Sequence, residues 1–253
     1  MASNIQAFVL AGGLGTRLRS VVPGRQKVAA DVDGRPFLTY LLDQLIRCGV
    51  RDVILCTGYR GDELRELLGD AYGPLRLVHS IEREPLGTAG ALGLAAPLIN
   101  SDPVLVLNGD SYCHFDLGEL MAFHSAKAAD ASILLTPMAD TSRYGRVLLD
   151  GTDRVVRFEE KGVSRGEGWI NAGVYLLNAR LIRAVPAGRA VSLEREIFPN
   201  LTALFGLKVP GPFLDIGTPE DYARAAAFLS GNPGLGGNPA RRTGKRFGKE
   251  NGP

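Results

Sequence analysis

The sequence predicts an α/β fold, a mostly parallel sheet with helices on both faces, and three observations predict it. Short apolar runs recur at residues 5–10, 53–56 and 104–107, and the first and third empty directly into glycine or a polar turn. Apolar runs of that length bounded by turn residues read as strands buried on both faces. Between them lie stretches of helical periodicity, and strand alternating with helix is the βαβ pattern of a parallel sheet. Ligands should gather at the carboxyl ends of such strands.

Taken in order, residues 5–10 form a central strand ending at Gly12 and Gly13. Over residues 36–48, Leu38, Leu41, Leu42, Leu45 and Ile46 recur at helical spacing, with Pro36 as the first helical residue and Gly49 as the stop. A strand at 53–56, a helix at 63–68, a strand at 75–78, a helix at 89–98 and a strand at 104–107 follow. Asp116 with Glu119 reads as a capping box opening a helix to Lys127. The second half changes character: 146–149, 155–158 and 170–177 read as strands separated by turns, adding mixed or antiparallel strands to the same sheet. The last helix has Thr218 as N-cap, Pro219 at its first position and Asp221 at its third, and runs to Leu229.

The 253 residues suffice for one α/β domain, and 45% hydrophobic with 22% charged residues is ordinary for a globular protein. The expected division is one domain over 1–230 and a disordered tail over 231–253. That tail carries Arg241, Arg242, Lys245, Arg246 and Lys249 against Glu250, a net of +4 that leaves −2 for the remainder of a chain whose total is +2. A mildly acidic body offers no footprint for nucleic acid. No apolar run approaches the ~20 residues of a membrane span, so no stable membrane insertion is expected. Cys48, Cys56 and Cys113 form no CxxC pair, which suits reduced thiols and a cytoplasmic location. His79, His114 and His124 have no metal-ligand spacing with these cysteines and are assigned no catalysis. The sequence leaves room for a homo-oligomer.

Chemistry concentrates first at LAGGLGTRL, residues 10–18. Gly12, Gly13 and Gly15 after a strand let the backbone approach a ligand, and their N–H groups can surround phosphate oxygens. Arg17 and Lys27 add two cations. A dinucleotide loop would need glycine where Leu18 stands, and a P-loop would need Gly-Lys-Ser/Thr where the chain reads Gly-Thr-Arg. Asp110 follows the strand at 104–107, and Asp215 precedes the last helix. Two carboxylates with phosphate oxygens and water would suit Mg²⁺, which keeps much of its hydration.

The segment LAGGLGTRL followed by Lys27 resembles the opening motif of the sugar-nucleotide pyrophosphorylases, nucleotidyltransferases acting on sugar 1-phosphates. That family has proline after this lysine, where this chain has Val28. The resemblance spans about residues 5–229 through VLNGDSYCHFDL, RYGRV, FEEKG, WINAGVYLL, SLEREIFP and FLDIGTPEDY. It implies a Rossmann-like, GT-A-like nucleotidyltransferase fold, with Leu10, Ala11, Gly12, Gly13, Gly15, Thr16, Arg17, Lys27, Asn108 and Gly109 around the nucleotide. EREPLGTAGAL, residues 82–92, resembles the base-recognition segment of the heptose- and mannose-type guanylyltransferases, which adds Glu84, Pro85, Gly87 and Thr88 and favours guanine. Asp110 and Asp215 match the family's metal-binding aspartates. Gly145, Glu160, Lys161 and Asn171 correspond to residues holding the sugar and its phosphate. The substrates implied are GTP and a sugar 1-phosphate, the heptose ahead of mannose, and the cofactor Mg²⁺. Catalysis falls to Arg17, Lys27 and Lys161, and the GDP-sugar product would serve lipopolysaccharide or another surface glycan. Two rivals are a nucleotide-binding regulatory subunit without turnover and a nicotinamide-dependent dehydrogenase, which the missing glycine at Leu18 disfavours.

Overall fold

The first apolar run becomes strand β1 (Ala7–Ala11) in the computed structural model of the chain, which describes residues 5–13, 15, 18, 21–22, 24–160, 162 and 165–232. Thr16, Arg17, Lys161 and all but the first two residues of the expected tail lie outside the described residues.

After β1 a 3₁₀ turn at Lys27–Ala29 leads into the short ladder of β2 (Asp31–Val32) and β3 (Arg35–Pro36). Helix α1 (Leu38–Arg47) therefore does not start at Pro36, as the sequence suggested. Pro36 pairs with Asp31, and the Phe37 N–H donates to the Ala30 carbonyl at 2.9 Å, so the ladder takes both residues out of the helix.

Strand β4 (Asp52–Thr57), helix α2 (Gly61–Leu68), β5 (Ala71–Tyr72) and β6 (Leu75–Ile81) follow. Helix α3 (Gly87–Leu94) starts earlier and ends earlier than the periodicity indicated, and a 3₁₀ turn at Ala96–Leu98 takes over. Pro97 explains the stop, since it has no N–H to donate and its ring crowds the preceding turn.

Next come β7 (Val104–Asn108), β8 (Ser111–Cys113) and α4 (Leu117–Ala126). Asp116 caps α4 by accepting the Glu119 N–H at 2.9 Å. The second half supplies β9 (Ala131–Met138), β10 (Val147–Leu149), β11 (Val155–Phe158), β12 (Gly168–Leu177) and α5 (Ala179–Arg183). A π-helical turn at Leu193–Ile197 precedes β13 (Leu204–Lys208), β14 (Phe213–Asp215) and α6 (Pro219–Ser230). Thr218 caps α6 by accepting the Asp221 N–H.

Eight strands form one sheet in the order β13-β9-β12-β7-β1-β4-β6-β5. The run β7-β1-β4-β6 is parallel, β12 runs antiparallel to β7 and β9, and β13 lies parallel to β9. β1 is central, and the second half extends the same sheet, with β10 and β11 as a separate hairpin. Alternate side chains divide between two cores: Ala7, Val9, Leu105 and Leu107 pack with α1, α2, α4 and α6 on one face. Phe8, Val104 and Val106 pack with α3, α5 and the π-helical turn on the other. Each such fully buried aliphatic or aromatic side chain contributes about 1.5–3 kcal/mol over the exposed state. The parallel strands whose carboxyl ends carry the glycines and acids are thus buried on both faces. Among the described residues no helix is long and apolar enough to cross a membrane.

Candidate active site

The site grows from the carboxyl ends of β1 and β7. The Gly109 N–H donates to the Leu10 carbonyl at 2.8 Å, stitching the turn after β7 to β1. A Cβ at Gly109 would lie 2.8 Å from that oxygen and 3.1 Å from Val28 Cγ1, so only glycine fits. Ala11, Gly12 and Gly13 leave the sheet here. Gly15, at φ +57°, lies against Lys27, whose Cβ would be 3.1 Å from a side chain at that position. Val28 is buried and packs beside Gly109, within the 3₁₀ turn that carries Lys27.

Lys27 points to where two acids meet. β8 pairs with β14 in a register that sets Ser111 opposite Asp215, and the Ile216 N–H donates to the Asp110 carbonyl at 3.0 Å. Lys27 Nζ lies 2.8 Å from Asp110 Oδ2 and 3.6 Å from Asp215 Oδ1. Burial, and then the charge of Asp110, raise the Asp215 carboxyl above the usual range, with Lys27 and the Gly217 N–H opposing in part. An ammonium shared by two carboxylates is a stand-in cation, and it tests whether the donor set fits Mg²⁺. Two carboxylates converging on one cation are a donor set that would suit Mg²⁺, which needs only one or two carboxylates when phosphate and water complete its shell.

The segment from Glu82 to Thr88 follows β6. Leu86 N–H donates to Glu82 Oε2 at 3.0 Å. The other oxygen, Oε1, lies so close to Gly12 and Gly58 that a Cβ on either would come within 2.5 and 2.7 Å of it. Burial raises this carboxyl as well. Glu84 and Pro85 are exposed. Gly87, at φ +71°, brings its backbone against the Val191 carbonyl, 2.7 Å from where a Cβ would stand. Thr88 turns inward: its hydroxyl donates to Glu194 Oε2 at 3.0 Å and accepts the Leu193 N–H at 2.8 Å.

On the opposite side, Gly145 sits at φ +76° in a turn closed by its N–H on the Thr141 carbonyl, and Glu160 is exposed. β12 shifts register between Asn171 and Tyr175. Within that bulge Gly173, at φ +75°, lies against Asn108 and Ser111, which brings this part of β12 against the turn after β7. Asn171 Nδ2 donates to the Tyr175 hydroxyl at 2.9 Å, and its Oδ1 accepts the Gly173 N–H at 2.9 Å.

One sheet end therefore gathers Leu10, Ala11, Gly12, Gly13, Gly15, Lys27, Asn108, Gly109, Asp110 and Asp215. Thr16, Arg17 and Lys161 lie outside the described residues. Sequence reasoning passed over Glu82, Tyr175 and Glu194. Glu82 carried a usable signal, an acid one residue beyond a strand's carboxyl end, whereas Tyr175 and Glu194 meet only in three dimensions. The histidines stay structural where they are bonded: His124 bonds Ser132 and Asn178, and His79 the Gly69 carbonyl.

Residues 6–231 match the family model described as nucleotidyl transferase. The chain is 38% identical over 245 residues to the mannose-1-phosphate guanylyltransferase of Mycobacterium tuberculosis, covering 94% of this chain and 67% of that protein. It is 36% identical over 228 residues to the D-glycero-alpha-D-manno-heptose 1-phosphate guanylyltransferase of Aneurinibacillus thermoaerophilus, covering 89% of this chain and 98% of that one. The crystal structure of HddC from Yersinia pseudotuberculosis complexed with GMP-PN superposes with a TM-score of 0.79 at 34% identity, over 88% of this chain and 98% of that one. With a family match over nearly the whole described chain and a glycine loop, a lysine and two acids at one sheet end, this chain is a nucleotidyltransferase and belongs to the nucleotidyl transferase family.

Proposed function

We propose that this chain is a sugar-1-phosphate guanylyltransferase joining GTP and D-glycero-α-D-manno-heptose 1-phosphate into GDP-heptose with release of pyrophosphate. The observation that carries the reading is the placement of Lys27 between Asp110 and Asp215 beside the Gly12–Gly13 loop. The backbone N–H groups of the loop, with Arg17, would hold the triphosphate. Asp110 and Asp215 would hold Mg²⁺, which neutralises charge on the α-phosphate and on the departing pyrophosphate. A phosphate oxygen of the sugar attacks the α-phosphorus, a P–O bond forms, and the bond to the β-phosphate oxygen breaks with its electron pair leaving on pyrophosphate. Neither protein nucleophile nor net proton transfer is needed, so the enzyme acts by orienting two anions and countering their repulsion with Lys27, Arg17 and Lys161. Gly145, Glu160 and Asn171 line the sugar half, and Glu84, Pro85, Gly87 and Thr88 frame the base.

Guanine is supported by Glu82, whose carboxylate can accept from the adjacent N1–H and N2–H₂ donors of guanine, where uracil and thymine offer a single N3–H between two carbonyls. The heptose is supported by correspondence with the heptose relative along nearly its whole length. Mannose 1-phosphate is the second reading, on the strength of the mycobacterial relative. A cytoplasmic enzyme supplying lipopolysaccharide or surface glycan assembly, with residues 1–230 catalytic and the basic tail appended, accords with three unpaired cysteines.

Pyrophosphate release measured with four nucleoside triphosphates against a panel of sugar 1-phosphates, with Mg²⁺ present, tests the reading. Turnover confined to GTP and one of these two sugars is expected. Failure of every pair would overturn it.

A further inference from the structure

The Tyr175 hydroxyl lies in the interior, with no exposure of its side chain, where an amide and a carboxylate converge on it. Asn171 Nδ2 donates to it at 2.9 Å. Glu194 Oε1, at 3.3 Å, is the acceptor. A phenol has one proton, so with that proton directed to Glu194 its lone pairs are left for the amide donor. The second carboxylate oxygen takes the hydroxyls of Thr88 and Ser192, each at 3.0 Å.

This arrangement fixes which way the Asn171 amide faces. Asn171 Oδ1 accepts the Gly173 N–H, so its Nδ2 must face Tyr175, leaving one N–H and one lone pair unused. Asn108, two residues before Asp110, has its Oδ1 buried with no partner among the described residues. An unused donor beside unused acceptors matches a ligand whose hydroxyls both donate and accept, as sugar hydroxyls do.

We propose that Glu194 and Tyr175 are a positioning pair, through which one carboxylate outside the reacting centre orients the Asn171 amide, beside the unpartnered Asn108 Oδ1, towards the sugar 1-phosphate and ties that orientation to the base-side turn at Thr88. The proposal rests on the guanylyltransferase reading. Loss of the relay frees Tyr175 to turn its proton towards Asn171, whose amide then loses its fixed facing.

The test is steady-state kinetics of pyrophosphate release on Tyr175→Phe, Glu194→Ala, Glu194→Gln and the Tyr175→Phe/Glu194→Ala double variant, with Tm measured for each. Tyr175→Phe deletes the hydroxyl alone and spares the Thr88 contact. It should raise KM for the sugar 1-phosphate about tenfold, the cost of a misplaced hydrogen bond, while kcat and KM for GTP move much less. Glu194→Ala should do the same to the sugar KM. The double variant should be no worse for the sugar than either single change, because residues acting through one relay are not additive. Glu194→Gln retains a carbonyl acceptor for the hydroxyl and should restore most of the sugar affinity.

A sugar KM unchanged in folded Tyr175→Phe, or single effects that add in the double variant, would overturn the relay and leave the functional reading standing. Lowered Tm with KM unmoved would assign the pair to packing alone. Absence of turnover in the unaltered protein would instead overturn the functional reading, and the relay with it.

Discussion

Replacing Gly173 by alanine should be one of the costliest single-methyl changes in the protein, and the structure separates its two causes. Gly173 has φ +75°, where an L-residue with a Cβ is disfavoured by about 1–2 kcal/mol. Its Cβ would also stand 2.6 Å from Ser111 Oγ, 2.9 Å from Asn108 Nδ2 and 3.0 Å from Asn108 Cβ. Forcing a methyl into such a gap adds about 1–3 kcal/mol. Gly34, at φ +80° with nothing within 4 Å of a methyl placed there, carries the first cause without the second. The difference between Gly173→Ala and Gly34→Ala therefore isolates the crowding, and the smaller gain from a stiffer unfolded chain cancels between them. Urea unfolding monitored by circular dichroism reads it directly, and in heat the gap should appear as roughly 2–4 °C for each kcal/mol in a domain of this size. Gly173→Ala should also impair turnover, since Asn108 and Ser111 flank Asp110, whereas Gly34→Ala should not. Equal destabilisation by the two substitutions would refute the reasoning, because β12 would then yield to the methyl without disturbing the turn after β7.

Three further outcomes follow from the electrostatics. Asp215→Asn should abolish turnover without lowering stability at neutral pH: a carboxyl whose folded pKa is raised favours the fold below its unfolded pKa and loses that contribution as pH rises through the folded value. Asp215 in its ionised form thus costs the fold stability relative to a neutral amide, Lys27 keeps Asp110, and differential scanning calorimetry showing a fall in Tm for this variant would contradict the assignment. Glu82→Gln puts a donor against the guanine donor edge, so KM for GTP should rise about tenfold or more and discrimination against UTP should narrow; competition assays with mixed nucleotides would detect either. Burial pushes the thiols of Cys48 up to about 11 and Cys113 up to about 12, and Cys56 higher still, so little thiolate exists at pH 8. Thiol titration of the native protein should be slow at all three, and fast labelling of Cys56 or Cys113 before unfolding would show the core to be open.

What the sequence revealed is what strand ends reveal. Gly12, Gly109 and Asp110 were legible because a buried strand stops where its apolar run stops, and the next residues must stand at the sheet's carboxyl edge. The pairing of Asp110 with Asp215 was legible only through resemblance, since no local period links β8 to β14. β9 and β13 went unassigned because they are apolar segments interrupted by Pro137 and Gly206, residues that locally read as breaks. At Gly206 a Cβ would fall 2.6 Å from Leu135 Cδ1 and 2.9 Å from Leu149 Cδ2, so any larger residue there must displace those leucine side chains. Helix boundaries slipped at Pro36 and Pro97, where a ladder or a 3₁₀ turn outcompeted the periodic pattern. Glu194 lies in a π-helical turn far along the chain from Thr88, and neither residue announces the other.

The geometry also explains why the acids can be held ready without a rigid cage. Two carboxylates facing one point repel, and burial of Asp215 makes that repulsion more costly. Flexible loops would relieve it by swinging apart. Here the separation is set by backbone: the β8–β14 ladder fixes Ser111 against Asp215, and the Ile216 N–H holds the Asp110 carbonyl. The remaining strain is met by the Lys27 ammonium, itself placed by a 3₁₀ turn whose Val28 is buried beside Gly109. A cation is therefore part of the resting site. Under the proposed reaction, a metal–triphosphate complex entering it would redirect Lys27 from carboxylate to phosphate, turning a charge that stabilises the fold into one that stabilises the developing pyrophosphate. On this argument Lys27→Met should lose turnover while gaining affinity for Mn²⁺ in the absence of nucleotide, read by electron paramagnetic resonance of the free ion. A variant that binds Mn²⁺ no better than the unaltered protein would show that Lys27 does not compete with the metal for the two acids.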